Sequence, residues 1–187
     1  MRPATFLFLL MPLFASISPA QAQTSAPAAK ILVVYFSQSG NTAIIARMIQ
    51  EAAGGDVFEI VPVDAYPTDY DAVVAQAKKE LNADFRPAIK SPGPDLAAYD
   101  TIFVGSPNWW STIAPPVMTY LQGHNFKGKT VIPFITHEGS RMGKSVQDVK
   151  RLCPGATVLA GQSFWGSSVR DAREDVRRWL RDLKLAK

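Results

Sequence analysis

The chain has 187 residues, of which 47% are hydrophobic and 19% are charged, with 12 Gly and 14 Pro. These proportions suit one globular domain and exclude a disordered, collagen-like or coiled-coil protein. A single Cys excludes an internal disulfide and a Cys-based zinc site, and two His residues do not predict a transition-metal centre. The net charge of +4 is spread along the chain, so nucleic acid is not an expected partner.

Residues 1–22 predict a cleavable export signal. Arg2 supplies a positive charge, residues 6–17 are apolar, and Ala20-Gln21-Ala22 resembles a cleavage site. A membrane anchor is disfavoured, because the apolar stretch is shorter than the roughly 20 residues that span a bilayer and contains proline. We therefore expect an exported protein, with the periplasm as its location and no membrane insertion after cleavage.

Residues 23–29 predict a flexible leader, and residues 30–187 a single folded domain. Buried strands are predicted where apolar residues follow one another without alternation. These runs are residues 31–36, 57–61, 102–104, 131–135 and 157–159. Pro133 lies inside the fourth run, and proline has no backbone N–H to donate to a neighbouring strand. It predicts a bulge or an unpaired position in that strand.

Helices are predicted between the first strands and at the end of the chain. Residues 42–53 place Ile45, Met48 and Ile49 on one face, and residues 70–82 are expected to form the next helix. The last helix carries its apolar side chains on one side, namely Ala172, Val176, Trp179, Leu180 and Leu183. Strands that alternate with helices predict a three-layer α/β/α sandwich around a five-stranded parallel sheet.

A polar loop connects the first strand to the first helix and is a candidate anion site. It consists of Ser37, Gln38, Ser39, Gly40, Asn41 and Thr42. The N–H groups at a helix start favour anions, the hydroxyls and amide add donors, and Gly40 permits a close backbone approach. With no Lys or Arg in the loop, a phosphate monoester fits better than a triphosphate. The alternative is a polar helix cap formed by Asn41 or Ser39.

This loop resembles the loop that binds the FMN phosphate in flavodoxins. Further segments are similar to the bacterial flavodoxin-like family: residues 82–89, Gly105-Ser106-Pro107-Asn108-Trp109-Trp110, Pro115-Pro116 and Thr136-His137-Glu138-Gly139-Ser140. The resemblance extends from about residue 30 to 169. It implies the strand order 2-1-3-4-5 and FMN as a non-covalent cofactor.

The resemblance also implies which residues hold the flavin ring. Pro107, Asn108, Trp109 and Trp110 are expected on one face and edge. Neighbouring residues on an extended loop point in opposite directions, so one Trp is predicted to stack on the ring while the other packs inward. The family pattern favours a cleft lined by both, and core packing of both is the alternative.

The loop after the fourth strand is expected at the pyrimidine edge of the ring, which implies roles for Thr136, His137, Glu138, Gly139 and Ser140. A carboxylate there would disfavour an anionic reduced flavin, whereas a protonated His137 would favour it. Alternatively, the side chains of His137 and Glu138 fix the loop by hydrogen bonds.

Two features differ from the usual flavodoxin pattern. Ser111 stands where relatives often have Gly, whose freedom eases rotation of the peptide beside the flavin. The chain is also basic, whereas soluble flavodoxins that carry electrons are typically acidic.

The expected function is electron transfer through FMN, with an unidentified redox partner and an unspecified oligomeric state. The alternatives are an NAD(P)H-dependent oxidoreductase that reduces a quinone or another small acceptor, and a ligand-binding module without a redox role. No catalytic residue and no metal ligand are predicted. Cys153 has no basic cluster beside it and is expected to be a buried thiol.

Overall fold

The structure is a computed structural model and describes residues 30–187. The predicted export signal, residues 1–22, and the predicted leader, residues 23–29, lie outside the described residues. Within the described part of the chain, no helix has the length and apolar character needed to cross a membrane.

A sheet of seven strands forms the centre of the fold. The strands are β1 (Ile31–Tyr35), β2 (Asp56–Glu59), β3 (Thr101–Trp109), β4 (Thr112–Ile113), β5 (Thr130–His137), β6 (Thr157–Val158) and β7 (Gln162–Trp165). The main path is β2-β1-β3-β5-β6 with parallel pairing, which matches the predicted order once the short β4 is set aside. Two strands were not predicted: β4 pairs antiparallel with β3, and β7 extends the sheet beside β5.

Five α-helices cover the two faces of the sheet. They are α1 (Asn41–Ala53), α2 (Tyr70–Asn82), α3 (Pro115–Gln122), α4 (Ser145–Leu152) and α5 (Arg173–Asp182). Alternate residues of each central strand pack on opposite sides: Val33 joins a core with α1 and α5, whereas Leu32 and Val34 join a core with α2, α3 and α4. Two cores divided by one sheet confirm the predicted three-layer sandwich.

Pro133 lies where two consecutive strands meet the same edge of β5. β6 pairs with β5 at Thr130 and Val131, and β7 begins its pairing at Phe134. The N–H of Leu159 donates to the carbonyl of Val131 at 3.0 Å, so alternate residues of β5, including Pro133, turn their polar backbone atoms toward this interruption. The backbone nitrogen of Pro133, which carries no hydrogen, therefore faces the interruption between β6 and β7. The predicted unpaired position is confirmed.

Gly161 closes this gap and offers a test of the local packing. Its φ is +74°, and a Cβ on it would stand 2.2 Å from the carbonyl oxygen of Pro133. Gly128 has a similar φ of +76°, but apart from its chain neighbours no described residue has an atom within 4 Å of the same position, so it is a matched control.

We expect Gly128→Ala to lower the free energy of unfolding by about 1 kcal/mol, the cost of a left-handed alanine. Gly161→Ala should cost roughly 1–3 kcal/mol more, because the backbone of β5 must move. Urea denaturation measures both values, and equal losses in the two variants would contradict the proposed contact.

Candidate functional site

A cleft of about 680 Å³ opens at the carboxyl ends of β1, β3 and β5, the edge where open α/β sheets bind ligands. The structure brings most of the predicted site residues to its wall: Gln38, Ser39, Asn41, Pro107, Asn108, Trp109, Trp110, Thr136, His137, Glu138 and Ser140. The remaining four, Ser37, Gly40, Thr42 and Gly139, lie in the same loops but do not line it.

The polar loop before α1 is held by its own side chains. The hydroxyls of Thr42 and Thr136 form a buried hydrogen bond of 2.8 Å, the Ser37 hydroxyl accepts the N–H of Ala43 at 3.3 Å, and the Gln38 amide donates to the carbonyl of Pro67 at 2.9 Å. These three predicted phosphate donors therefore shape the loop.

The start of α1 retains two free donors among the described residues, the backbone N–H groups of Asn41 and Thr42, since that of Ala43 is bonded to Ser37. The N-cap is Gly40, with a φ of 89°, and neither Ser39 nor Asn41 caps the helix, so the alternative interpretation of this loop does not describe the structure. The first N–H groups of a helix have no partner inside it. Ser39 and Asn41 line the cleft beside these donors, which carry the positive end of the helix dipole.

The two tryptophans point apart, as their adjacency predicted. The ring of Trp109 meets Phe36 and Tyr66 edge-on, with centroids 5.5 Å and 4.9 Å away. The Tyr66 hydroxyl donates to the buried carboxylate of Glu80, and burial raises the pKa of Tyr66 far above its usual value. Trp109 is therefore anchored in an aromatic cluster while it also lines the cleft.

Trp110 leaves the core and reaches α2. Its indole N–H donates to the carbonyl of Val74 at 3.1 Å, and the Lys78 ammonium stands 4.7 Å from its ring centroid. The side chain is 49% exposed, so core packing of both tryptophans is wrong. Trp110 forms a bridge between the end of β3 and α2 at the cleft.

Trp110 and Ser111 form the two-residue turn between β3 and β4. Both have positive φ, 52° and 66°, in a turn that normally favours Asn or Gly. The strained backbone is held from both sides, since the Ser111 carbonyl accepts the N–H of Lys144 at 2.6 Å while Trp110 bonds to Val74. Because Ser111 stands where relatives often have Gly, the sequence predicted a peptide that does not rotate freely. The bonds to Val74 and Lys144 hold this peptide in place.

Asn108 presents a buried acceptor without a partner. Its amide nitrogen donates to the carbonyl of Arg141 at 2.7 Å, which fixes the orientation of the side chain. The other amide atom, Oδ1, is buried and has no hydrogen-bond partner among the described residues. A buried oxygen of this kind is costly unless a ligand or water donates to it.

His137 is buried at the end of β5. Its Nδ1 accepts the N–H of Gly139 at 2.9 Å, so the ring hydrogen is assigned to Nε2. Burial lowers the pKa of His137; the carboxylate of Glu138 opposes this, and Arg141 adds to it. The ring is therefore neutral at pH 7 and fixes the loop, the alternative proposed from the sequence. Trp165 packs against it with a centroid distance of 4.9 Å.

The family model named Flavodoxin matches residues 30–183. The chain belongs to the flavodoxin family. A candidate flavoprotein from Bacteroides eggerthii is 35% identical, with a TM-score of 0.73, over 82% of this chain and 97% of that one. A second, from Bacteroides uniformis, is 34% identical, with a TM-score of 0.72, over 82% and 99% of the two chains.

A third structure adds a ligand to the comparison. A flavoprotein from Lactobacillus acidophilus, solved in complex with FMN, is 26% identical, with a TM-score of 0.62, over 79% of this chain and 99% of that one. No curated protein shows significant similarity to this member of the flavodoxin family.

Two parts of the flavodoxin cleft were missed in the sequence. One wall comes from the start of α2 and the segment before it, with Thr68, Tyr70, Val73, Val74 and Ala77, and another position is Gly166 after β7. The first could have been inferred, because the segment after β2 must begin at the same sheet edge. Gly166 carries no local signal, since its role depends on side chains distant in sequence.

Other reactive groups lie outside this site. Cys153 is buried at the end of α4, and burial raises the pKa of its thiol to about 12, as expected for an unreactive cysteine. Among residues 30–187, no three His, Cys, Asp or Glu side chains are grouped so that they could hold a metal ion.

The lowered pKa of His137 predicts how stability changes with pH. As the pH falls through about 6.5, the unfolded chain binds more protons at this residue than the folded protein does, because the folded pKa is lower, so the free energy of unfolding decreases. H137N has no such group. We expect wild type to lose more stability than H137N between about pH 7.5 and about pH 5.

Chemical denaturation across this range measures the difference, and contributions from the carboxylates cancel between the two proteins. Parallel stability curves would contradict a neutral, buried His137.

Proposed function

We propose that this protein binds FMN non-covalently and transfers electrons through it, in the compartment reached by export. The observation that carries the proposal is that two features line the same cleft. One is the loop before α1, which contains no Lys or Arg, and the other is the pair of tryptophans at the end of β3. One recognises a phosphate monoester and the other a flat ring. The FMN complex of the similar Lactobacillus acidophilus protein supports this assignment.

The phosphate would be held by neutral donors. Ser39 and Asn41 line the cleft and would donate through the Ser39 hydroxyl, the Asn41 amide and the free backbone N–H groups of Asn41 and Thr42, while the side chains of Thr42 and Ser37 keep the loop in shape. Gly40 has open space around the position of a Cβ, which leaves the backbone accessible. Helix-start amides bind phosphate in this way without requiring an ion pair.

The ring would be held by the opposite side of the cleft. Trp109 and Trp110 supply the aromatic surface, and Asn108 Oδ1 supplies an acceptor that fits an imide N–H. The loop from Thr136 to Ser140 supplies the other edge, kept rigid by the bond from Gly139 to His137. FMN supplies the redox chemistry when bound, and the chain contributes binding, orientation and exclusion of water.

A second candidate function is an NAD(P)H-dependent oxidoreductase. It is favoured by the apolar wall that α2 adds to the cleft and by Tyr70, which is 78% exposed beside it, because a hydride donor or small acceptor needs open space next to the ring. Stopped-flow mixing of the FMN-loaded protein with NADH or NADPH distinguishes the two. Rapid flavin bleaching supports the enzyme, and a stable yellow colour supports the carrier.

Cofactor identity is tested first, by native purification. A yellow protein whose flavin is identified as FMN supports both redox functions. A colourless protein that also ignores added FMN contradicts them and leaves a ligand-binding module without a redox role.

The two tryptophans should contribute differently to binding and to stability. We expect W110A to raise the Kd for FMN roughly tenfold, because stacking is lost. Its free energy of unfolding should change by less than about 1 kcal/mol, since the side chain is half exposed. W109A should weaken binding and also lower the free energy of unfolding by about 2–4 kcal/mol, because the ring packs on Phe36 and Tyr66.

Flavin fluorescence titration and urea denaturation measure these effects. W110F is the matched control, since it keeps an aromatic ring but loses the N–H bonded to Val74. Equal, small effects of W109A and W110A on FMN binding would refute the stacking assignment.

A further inference from the structure

Glu138 is the only residue with a formal charge on the cleft wall of the described chain. The other lining residues are neutral polar or apolar, and His137 is held uncharged by burial and by its bond from Gly139. Among residues 30–187 no Lys or Arg lines the cleft, although the chain as a whole has an excess of them. The one formal charge on the described cleft wall is therefore opposite in sign to the net charge of the whole chain.

The carboxylate stands at the phosphate end of the cleft. A Cβ placed on Gly166 would lie 2.3 Å from Glu138 Oε1 and 2.7 Å from Asn41 Nδ2, so both side chains converge on the same point above this glycine. Asn41 is the first residue of α1 and is one of the neutral donors proposed to hold the phosphate. The Glu138 side chain therefore lies beside these donors, while the rest of its loop is proposed for the pyrimidine edge of the ring.

Glu138 forms no ion pair within the described structure. The ion pairs of residues 30–187 involve other carboxylates, those of Glu51, Asp84, Asp148, Glu174 and Asp175. The Glu138 side chain also forms no hydrogen bond there, so it does not fix the loop as His137 does. The residue is exposed, and its substitution does not disturb a core.

We propose that Glu138 sets the selectivity of the cleft between phosphorylated and unphosphorylated flavin. A phosphate monoester carries a charge of about −1.5 to −2 at pH 7, and a carboxylate beside its donors opposes it. Riboflavin has the same ring and ribityl chain without that charge. Glu138 therefore weakens FMN binding and leaves riboflavin binding unchanged. The inference rests on the proposed function, in which the cleft binds a flavin.

The test compares two ligands and three proteins. Kd values for FMN and riboflavin are measured by flavin fluorescence at low ionic strength for wild type, E138Q and E174Q. The last variant removes the same charge from α5, where Glu174 is exposed and paired with Arg177. We expect E138Q to lower the Kd for FMN roughly three- to tenfold and to leave riboflavin within about twofold, while E174Q leaves both within about twofold.

Salt provides a second readout that separates charge from shape. The wild-type to E138Q ratio of Kd values for FMN should shrink toward one between about 0.01 M and about 1 M salt, because the Debye length falls to roughly 3 Å. A thermal melt of each variant verifies folding, and E138A removes the same charge if E138Q folds poorly.

The outcomes separate a failure of the inference about Glu138 from a failure of the proposed function. If E138Q tightens FMN and riboflavin equally, or leaves both unchanged, the role of Glu138 is overturned while the proposed function stands. A ratio that does not respond to salt also overturns it. If neither flavin binds to any of the proteins, the proposed function fails and the inference fails with it.

Discussion

One buried hydrogen bond ties the two loops on which the cleft depends. The hydroxyls of Thr42, at the start of α1, and Thr136, near the end of β5, lie 2.8 Å apart and are almost completely buried. The residues are far apart in the chain, and only the parallel order β1-β3-β5 brings them together. Because a buried hydroxyl without a partner is costly, each threonine fixes the position of the other.

The turn at Trp110 and Ser111 shows the opposite case, a conformation that the local sequence does not favour. Two L-residues with positive φ persist there because α2 holds the indole and the start of α4 holds the Ser111 carbonyl. Gly143 makes the second contact possible, since a Cβ on it would stand 2.3 Å from that carbonyl oxygen. Tertiary contacts thus stabilise a rigid tip where a glycine would have allowed rotation.

Long apolar runs and strong helical periodicity were sufficient to predict the strands of the main sheet and α2, which spans Tyr70–Asn82 as expected, whereas the strand order was implied by the resemblance to flavodoxins. The short β4 has two residues, too few for any periodicity, and β7 alternates weakly because it lies at an edge. Within the cleft, motifs predicted the three loops at the strand ends. The contribution of Gly166 could not be predicted from the sequence, since it depends on how closely the side chains of Asn41 and Glu138 approach this glycine.

Recognition of a phosphate in this cleft would depend on the positions of neutral donors, because none of the described residues on the cleft wall is Lys or Arg. Lys78 stands 4.7 Å from the Trp110 centroid but does not line the cleft, while the one charged residue on the described cleft wall is Glu138. Under the proposed function, a phosphate bound here without a counter-ion would depend on helix-start amides at fixed positions, whose attraction falls off within a turn. Small displacements of α1 relative to β5 would therefore weaken binding sharply. The buried hydrogen bond between Thr42 and Thr136 opposes that displacement, because breaking it would leave two buried hydroxyls unpaired.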